Sequence, residues 1–210
     1  WQYFLQAMQA GPDAAGHWRA ALKALKALET GGGGVDPLVA RIVQAINAGR
    51  YDAARADLAT LGRRPGYGLT VLSLQAALAR RQGDTADAVR LYREVVRRAP
   101  RDAGALFSLG ALDVQVGDAT EAADILTRLQ RRAPAMARRL EAMMLSAQAD
   151  RAGDDDGRIA LLRRAQALDP DDPWVRLKLA HALDDAGDHA AAQAMMDALT
   201  APRNASAQAL

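Results

Sequence analysis

The sequence predicts an all-α solenoid of stacked antiparallel helix hairpins. Three observations carry this. Glycines recur at a fixed spacing: Gly49, Gly83 and Gly117 lie 34 residues apart, Gly153 follows after 36 and Gly187 after a further 34. Prolines close the same units at Pro100, Pro134 and Pro170, with Pro65 one place early. The composition suits closely packed helices: 49 of 210 residues are Ala, against 2 Phe, 4 Tyr and 3 Trp. Ala is the strongest helix former, whereas strands favour β-branched and aromatic residues.

The elements follow in order. Residues 1–30 read as a degenerate hairpin, with an apolar stretch Trp1–Ala10, the breaker Gly11-Pro12, and a second helix carrying Trp18, Ala21, Leu22, Leu25 and Leu28 on one face. The run Gly31, Gly32, Gly33, Gly34 lacks the Lys-Ser/Thr of a phosphate loop and is predicted to be a hinge, because four residues without Cβ have maximal backbone freedom. Five units are then expected, at 35–68, 69–102, 103–136, 137–172 and 173–206, with 207–210 opening a further helix. In 103–136, Leu106, Leu109, Gly110 and Val114 form the apolar stripe of a first helix. Gly117 is placed to take a left-handed helix end, and Asp118 to cap the second helix. Ala122, Ile125, Leu126 and Leu129 form the second stripe, and Pro134 forbids continuation. Gly-Asp recurs at 83–84, 153–154 and 187–188, which predicts one turn chemistry for four units. Unit 137–172 departs from the pattern. It carries two extra residues and places Arg158 where its siblings have Ala54, Ala88, Ala122 and Ala192. Arg158 is expected to snorkel outward, or the helix to shift so that Ala160 fills the gap.

These positions resemble the tetratricopeptide repeat (TPR) pattern of a large residue, Leu-Gly, a Tyr, a Gly turn, an Ala, an aromatic, another Ala and a final Pro. Unit 69–102 supplies Leu72, Ala76, Gly83, Ala88, Tyr92, Val95 and Pro100. Unit 35–68 supplies Leu38, Gly49, Ala54, Leu58 and Leu61, and unit 173–206 supplies Leu179, Ala180, Gly187, Ala192, Met196 and Leu199. The resemblance implies a right-handed TPR superhelix with a concave face lined by first helices and used for binding. It points Val43, Asn47, Arg80, Arg81, Phe107, Gln115, Met143, Asp150, Arg151, His181 and Asp184 at that groove. Trp174, just after the 169–173 turn, packs under the loop or offers a stacking platform.

Chemistry is sparsely represented. Cysteine is absent, which excludes thiol catalysis, disulfides and Cys-zinc sites. Asp154-Asp155-Asp156 lacks the spacing of a calcium loop and reads as a solvated helix start. His17, His181 and His189 do not have zinc-ligand spacing. Catalytic residues, metals and cofactors are therefore not expected. No uninterrupted apolar run approaches the length of a membrane span, about 18 residues. The net charge of +2 is spread among interspersed ions, which argues against nucleic acid as partner. Arg63-Arg64, Arg97-Arg98 and Arg131-Arg132 recur 34 apart at the ends of second helices. They either answer the helix dipole or build a basic edge for an acidic partner or polymer.

The stretch 168–180, Leu-Asp-Pro-Asp-Asp-Pro-Trp-Val-Arg-Leu-Lys-Leu-Ala, with 194–199 after it, is similar to periplasmic repeats of the bacterial cellulose synthase export subunits. That resemblance implies a non-catalytic periplasmic scaffold, with protein partners in a synthase/export complex and a glucan chain or peptidoglycan nearby. An outer-membrane barrel would lie elsewhere in the protein. The first residue is Trp, which reads as a piece of a longer array. A TPR adaptor for pilus, lipoprotein or cytosolic assembly, and a helical polysaccharide hydrolase, are the alternatives.

Overall fold

A computed structural model describes residues 36–200. The expected hairpin at 1–30, the Gly31–Gly34 hinge and the helix start at 207–210 lie outside the described residues. Within them the chain is ten helices and no strand. They are α1 (Pro37–Asn47), α2 (Tyr51–Gly62), α3 (Gly68–Gln82), α4 (Thr85–Arg98), α5 (Ala103–Val116), α6 (Ala119–Gln130), α7 (Pro134–Ala149), α8 (Asp155–Leu168), α9 (Pro173–Asp185) and α10 (His189–Thr200). The chain divides into two compact units, one up to residue 136 and one from 137 onward.

Aspartates start most of these helices. Asp36, Asp84, Asp102, Asp118, Asp154, Asp172 and Asp188 each accept a backbone N–H from the first turn, at 2.6–3.2 Å. An Asp at this position satisfies a donor that the helix itself leaves unpaired. Glycines end the first helices: Gly49, Gly83, Gly117 and Gly187 have φ between 70° and 86°. Gly153 is not among the positive-φ glycines, which corrects the expectation of a shared turn. There α7 stops at Ala149, and the two extra residues carry the chain to Asp154 without a left-handed step.

In the first unit, Val39, Ile42, Ile46, Ala54, Leu58 and Leu61 of α1 and α2 pack with Leu74 and Leu78 of α3. Burying one such aliphatic side chain contributes about 1.5–3 kcal/mol. α5 is covered on every side, with each residue from Ala105 to Asp113 buried. In the second unit, Ala142, Leu145, Ala165 and Val175 form one core, and Ala149, Ile159, Leu162, Leu179, Ala182, Leu183 and Ala192 another. The small position is fully buried at Ala54, Ala88 and Ala122. Arg158 occupies it in α8 and snorkels: its guanidinium reaches Asp185 and lies 3.7 Å from Asp155. Ala160 is exposed and does not fill the gap.

Candidate interaction surface

In the first unit, the ends of α1, α3 and α5 carry Asn47, Arg81 and Gln115 at the same repeat position. The Arg81 guanidinium donates to Asn47 Oδ1 at 3.2 Å, and Tyr51 Oη donates to the Arg81 carbonyl at 3.0 Å, tying successive repeats together. Asn47 and Gln115 are exposed. Arg80 is half-buried, and its Nε is buried without an acceptor. Phe107 is a correction: only 1% exposed, its ring lies in the core and not in a groove. An aromatic ring on a helix buried all round gains more from burial than from display.

In the second unit, Lys178 of α9 reaches back to α7, donating to Asp150 at 2.6 and 2.9 Å and to Ser146 Oγ at 3.1 Å. His181 is exposed beside this link, and Asp184 Oδ1 lies 2.7 Å from His189 Nδ1. Arg151 is exposed in the turn after α7. Trp174 is half-buried at the start of α9, its backbone N–H held by Asp172 Oδ1 at 2.8 Å. The first unit thus presents neutral and basic side chains and the second side chains of both signs, several of them already paired.

The arginine pairs differ from one another. Arg64 donates to Asp36, which also accepts from Tyr67 Oη, each at 2.7 Å; the phenol, more than the guanidinium, lowers the Asp36 pKa. Arg97 and Arg98 share Glu94, and their hydrogen bonds pull its pKa to about 2. Arg63, Arg131 and Arg132 are exposed, and no carboxylate among the described residues pairs with them.

One group escaped the sequence reading. Asp113 is 0% exposed, its two carboxylate oxygens accept no hydrogen bond, and burial pushes its pKa up to about 6. The signal was present: the same repeat position holds Ala45, Ala79, Ala149 and Leu183.

A tetratricopeptide repeat family model matches residues 79–147 and 143–210. The chain belongs to the tetratricopeptide repeat family. Among solved structures, a thermophilic TPR protein of Thermus thermophilus is similar at TM-score 0.58 and 23% identity, covering 80% of this chain and 92% of that one. A TPR protein from Parabacteroides merdae is similar at TM-score 0.59 and 18% identity, covering 85% and 71%. These likenesses concern the TPR fold alone. By sequence, the chain is 98% identical over 209 residues to "Cellulose synthase 2 operon protein C" of Komagataeibacter xylinus, covering 100% of this chain and 16% of the relative. It is 34% identical to "Cellulose synthase 1 operon protein C" of the same species, covering 95% and 14%. This TPR segment therefore spans about a sixth of the curated relatives it matches. No described helix is long and apolar enough to cross a membrane.

Proposed function

We propose that the chain is a non-catalytic TPR scaffold segment of a bacterial cellulose export subunit, working in the periplasm. The observation that carries this is the near-identity to a cellulose synthase operon protein C across the whole chain. The repeat architecture supports binding as its mode of action, since stacked hairpins offer an extended surface. On this reading Asn47, Arg81 and Gln115, and separately Lys178, His181 and Trp174, are contact positions for protein subunits of the synthase complex. The glucan is at most a passing ligand, held weakly by each repeat, with strength coming from many repeats acting together.

Photocrosslinking side chains placed at Asn47 and at Gln115 of the full-length protein, in cells making cellulose, test the reading. Adducts with other subunits of the complex are expected. Adducts absent at both positions, in cells whose cellulose output is intact, would remove this face as the contact surface. Incubation of the purified chain with cello-oligosaccharides or peptidoglycan should release no new ends. Turnover abolished by Asp154→Asn or Asp156→Asn would overturn the non-catalytic reading.

A further inference from the structure

We propose that the end of α6 and the loop before α5 form a binding site for an acidic protein segment. A cavity of about 370 Å³ opens there, lined by Pro100, Arg101, Thr127, Arg128, Arg131 and Arg132. Four arginines line it, and no carboxylate does. The site is built by a second helix and an inter-repeat loop, so it stands apart from the first-helix face discussed above.

The repeat itself shows why this charge is available. In α4 the pair Arg97-Arg98 shares one carboxylate, Glu94, three and four residues earlier, which cancels one of its two charges. The position 34 residues after Glu94 is Arg128. In α6 the internal carboxylate has thus become a third arginine, and Arg101 adds a fourth from the loop. The helix dipole accounts for cations in the last turn, as in α4. It does not account for reversing the charge of the residue that balances them. Arg128 Nη2 donates to the Pro100 carbonyl at 3.3 Å, which holds its fork against the loop, and Asp124 lies 3.9 Å from Nη1 at the periphery. Arg101, Arg131 and Arg132 have no ion-pair partner among the described residues.

The chemistry favours a peptide over a bare anion. Guanidinium forks pair with planar carboxylates through two parallel hydrogen bonds. The last turn of a helix offers carbonyl acceptors and no free N–H donors. A peptide brings planar carboxylates for the arginines and several N–H groups for those carbonyls; a phosphate brings a tetrahedral set of acceptors and at most one or two O–H donors. The cationic cluster is also compact, without the extended stripe that follows a nucleic-acid backbone.

Fluorescence anisotropy with a labelled peptide of alternating Glu and Ser tests the site, with a Gln-Ser peptide, inorganic phosphate and phosphatidylglycerol vesicles as separate arms. Binding of the acidic peptide, weakening with added NaCl, is expected. R128E restores the internal carboxylate and should cost about tenfold or more in affinity, as should R131Q/R132Q, while R97Q/R98Q should stay within about twofold. Helical circular dichroism checks that each variant folds, and R131Q/R132Q keeps the test open should R128E not fold. Equal losses in all three variants would reduce the effect to overall charge. Absence of peptide binding, equal binding of the Gln-Ser peptide, or binding of phosphate or vesicles in preference to the peptide would each overturn the proposal.

Discussion

Asp113 carries a cost that its repeat siblings avoid. Its carboxyl has an ordinary pKa of 3.8 and a folded value of about 6, raised first by burial, with Arg93 at 3.8 Å pulling down and Glu121 and Asp118 pushing up. The sign follows from linkage. As pH rises from 3.8 to about 6, the unfolded chain releases this proton and the folded chain keeps it, so stability falls. Above that window the full penalty remains, on the order of 2–3 kcal/mol for a shift of this size. Asp113→Ala, which matches Ala79, should therefore raise the urea midpoint at pH 7. The difference from the parent should shrink toward pH 4. A variant no more stable than the parent at pH 7 would show that the buried carboxylate is solvated or paired in solution. Arg158 illustrates a partial escape: a charge at an alanine site, 31% exposed, whose tip reaches Asp185 while its Nε stays buried without an acceptor.

Turns decide how consecutive helices leave one another. Gly83 sits at φ 79°, and a Cβ added there meets nothing within 4 Å. Gly83→Ala therefore costs backbone strain alone, about 1–2 kcal/mol. Gly153 has equally open space without a positive φ, so Gly153→Ala should change stability by less than about 0.5 kcal/mol. Thermal melts of the two variants make the comparison, and equal losses would show that both turns need a left-handed residue. The cause of the difference is length. Two added residues let the chain turn through four ordinary positions between Ala149 and Asp154, where the other first helices turn on a glycine.

A stacked repeat array gains its cooperativity from nearest neighbours, and its ends open first. Leu61 is 0% exposed and shares a core with α1 and α3. Leu61→Ala should destabilise that core by about 2–5 kcal/mol. Hydrogen exchange should then rise in α1 and α2 and stay unchanged in α9 and α10. Exchange rising equally in both units would mean that the chain unfolds as one body. The charge pattern is uneven at this scale too. The arginine pairs recur regularly, yet Asp36 and Glu94 each cancel one charge of the first two pairs, while the third pair is left exposed.

The period, the glycine turns other than Gly153, the Asp caps of the Gly-Asp pairs and the alanine register were legible, because each depends on residues close together in the chain. Hydrophobic spacing marked Leu38, Leu58, Leu61, Leu106 and Leu129 as core, and these side chains are buried. The groove assignment depended on which face of each helix a neighbour covers, and there Phe107 and Val43 both belong to the core instead. α5 is apolar nearly all round, so its own spacing cannot say which side is left open. Pairing across repeats was likewise hidden: Lys178 with Asp150 and Arg81 with Asn47 join residues 28 and 34 apart. The sequence by itself determined the two-helix unit, its caps and its count of charges. Only the tertiary structure decided which charges are neutralised and which carboxylate is buried, because both depend on distances between helices that local propensity does not encode.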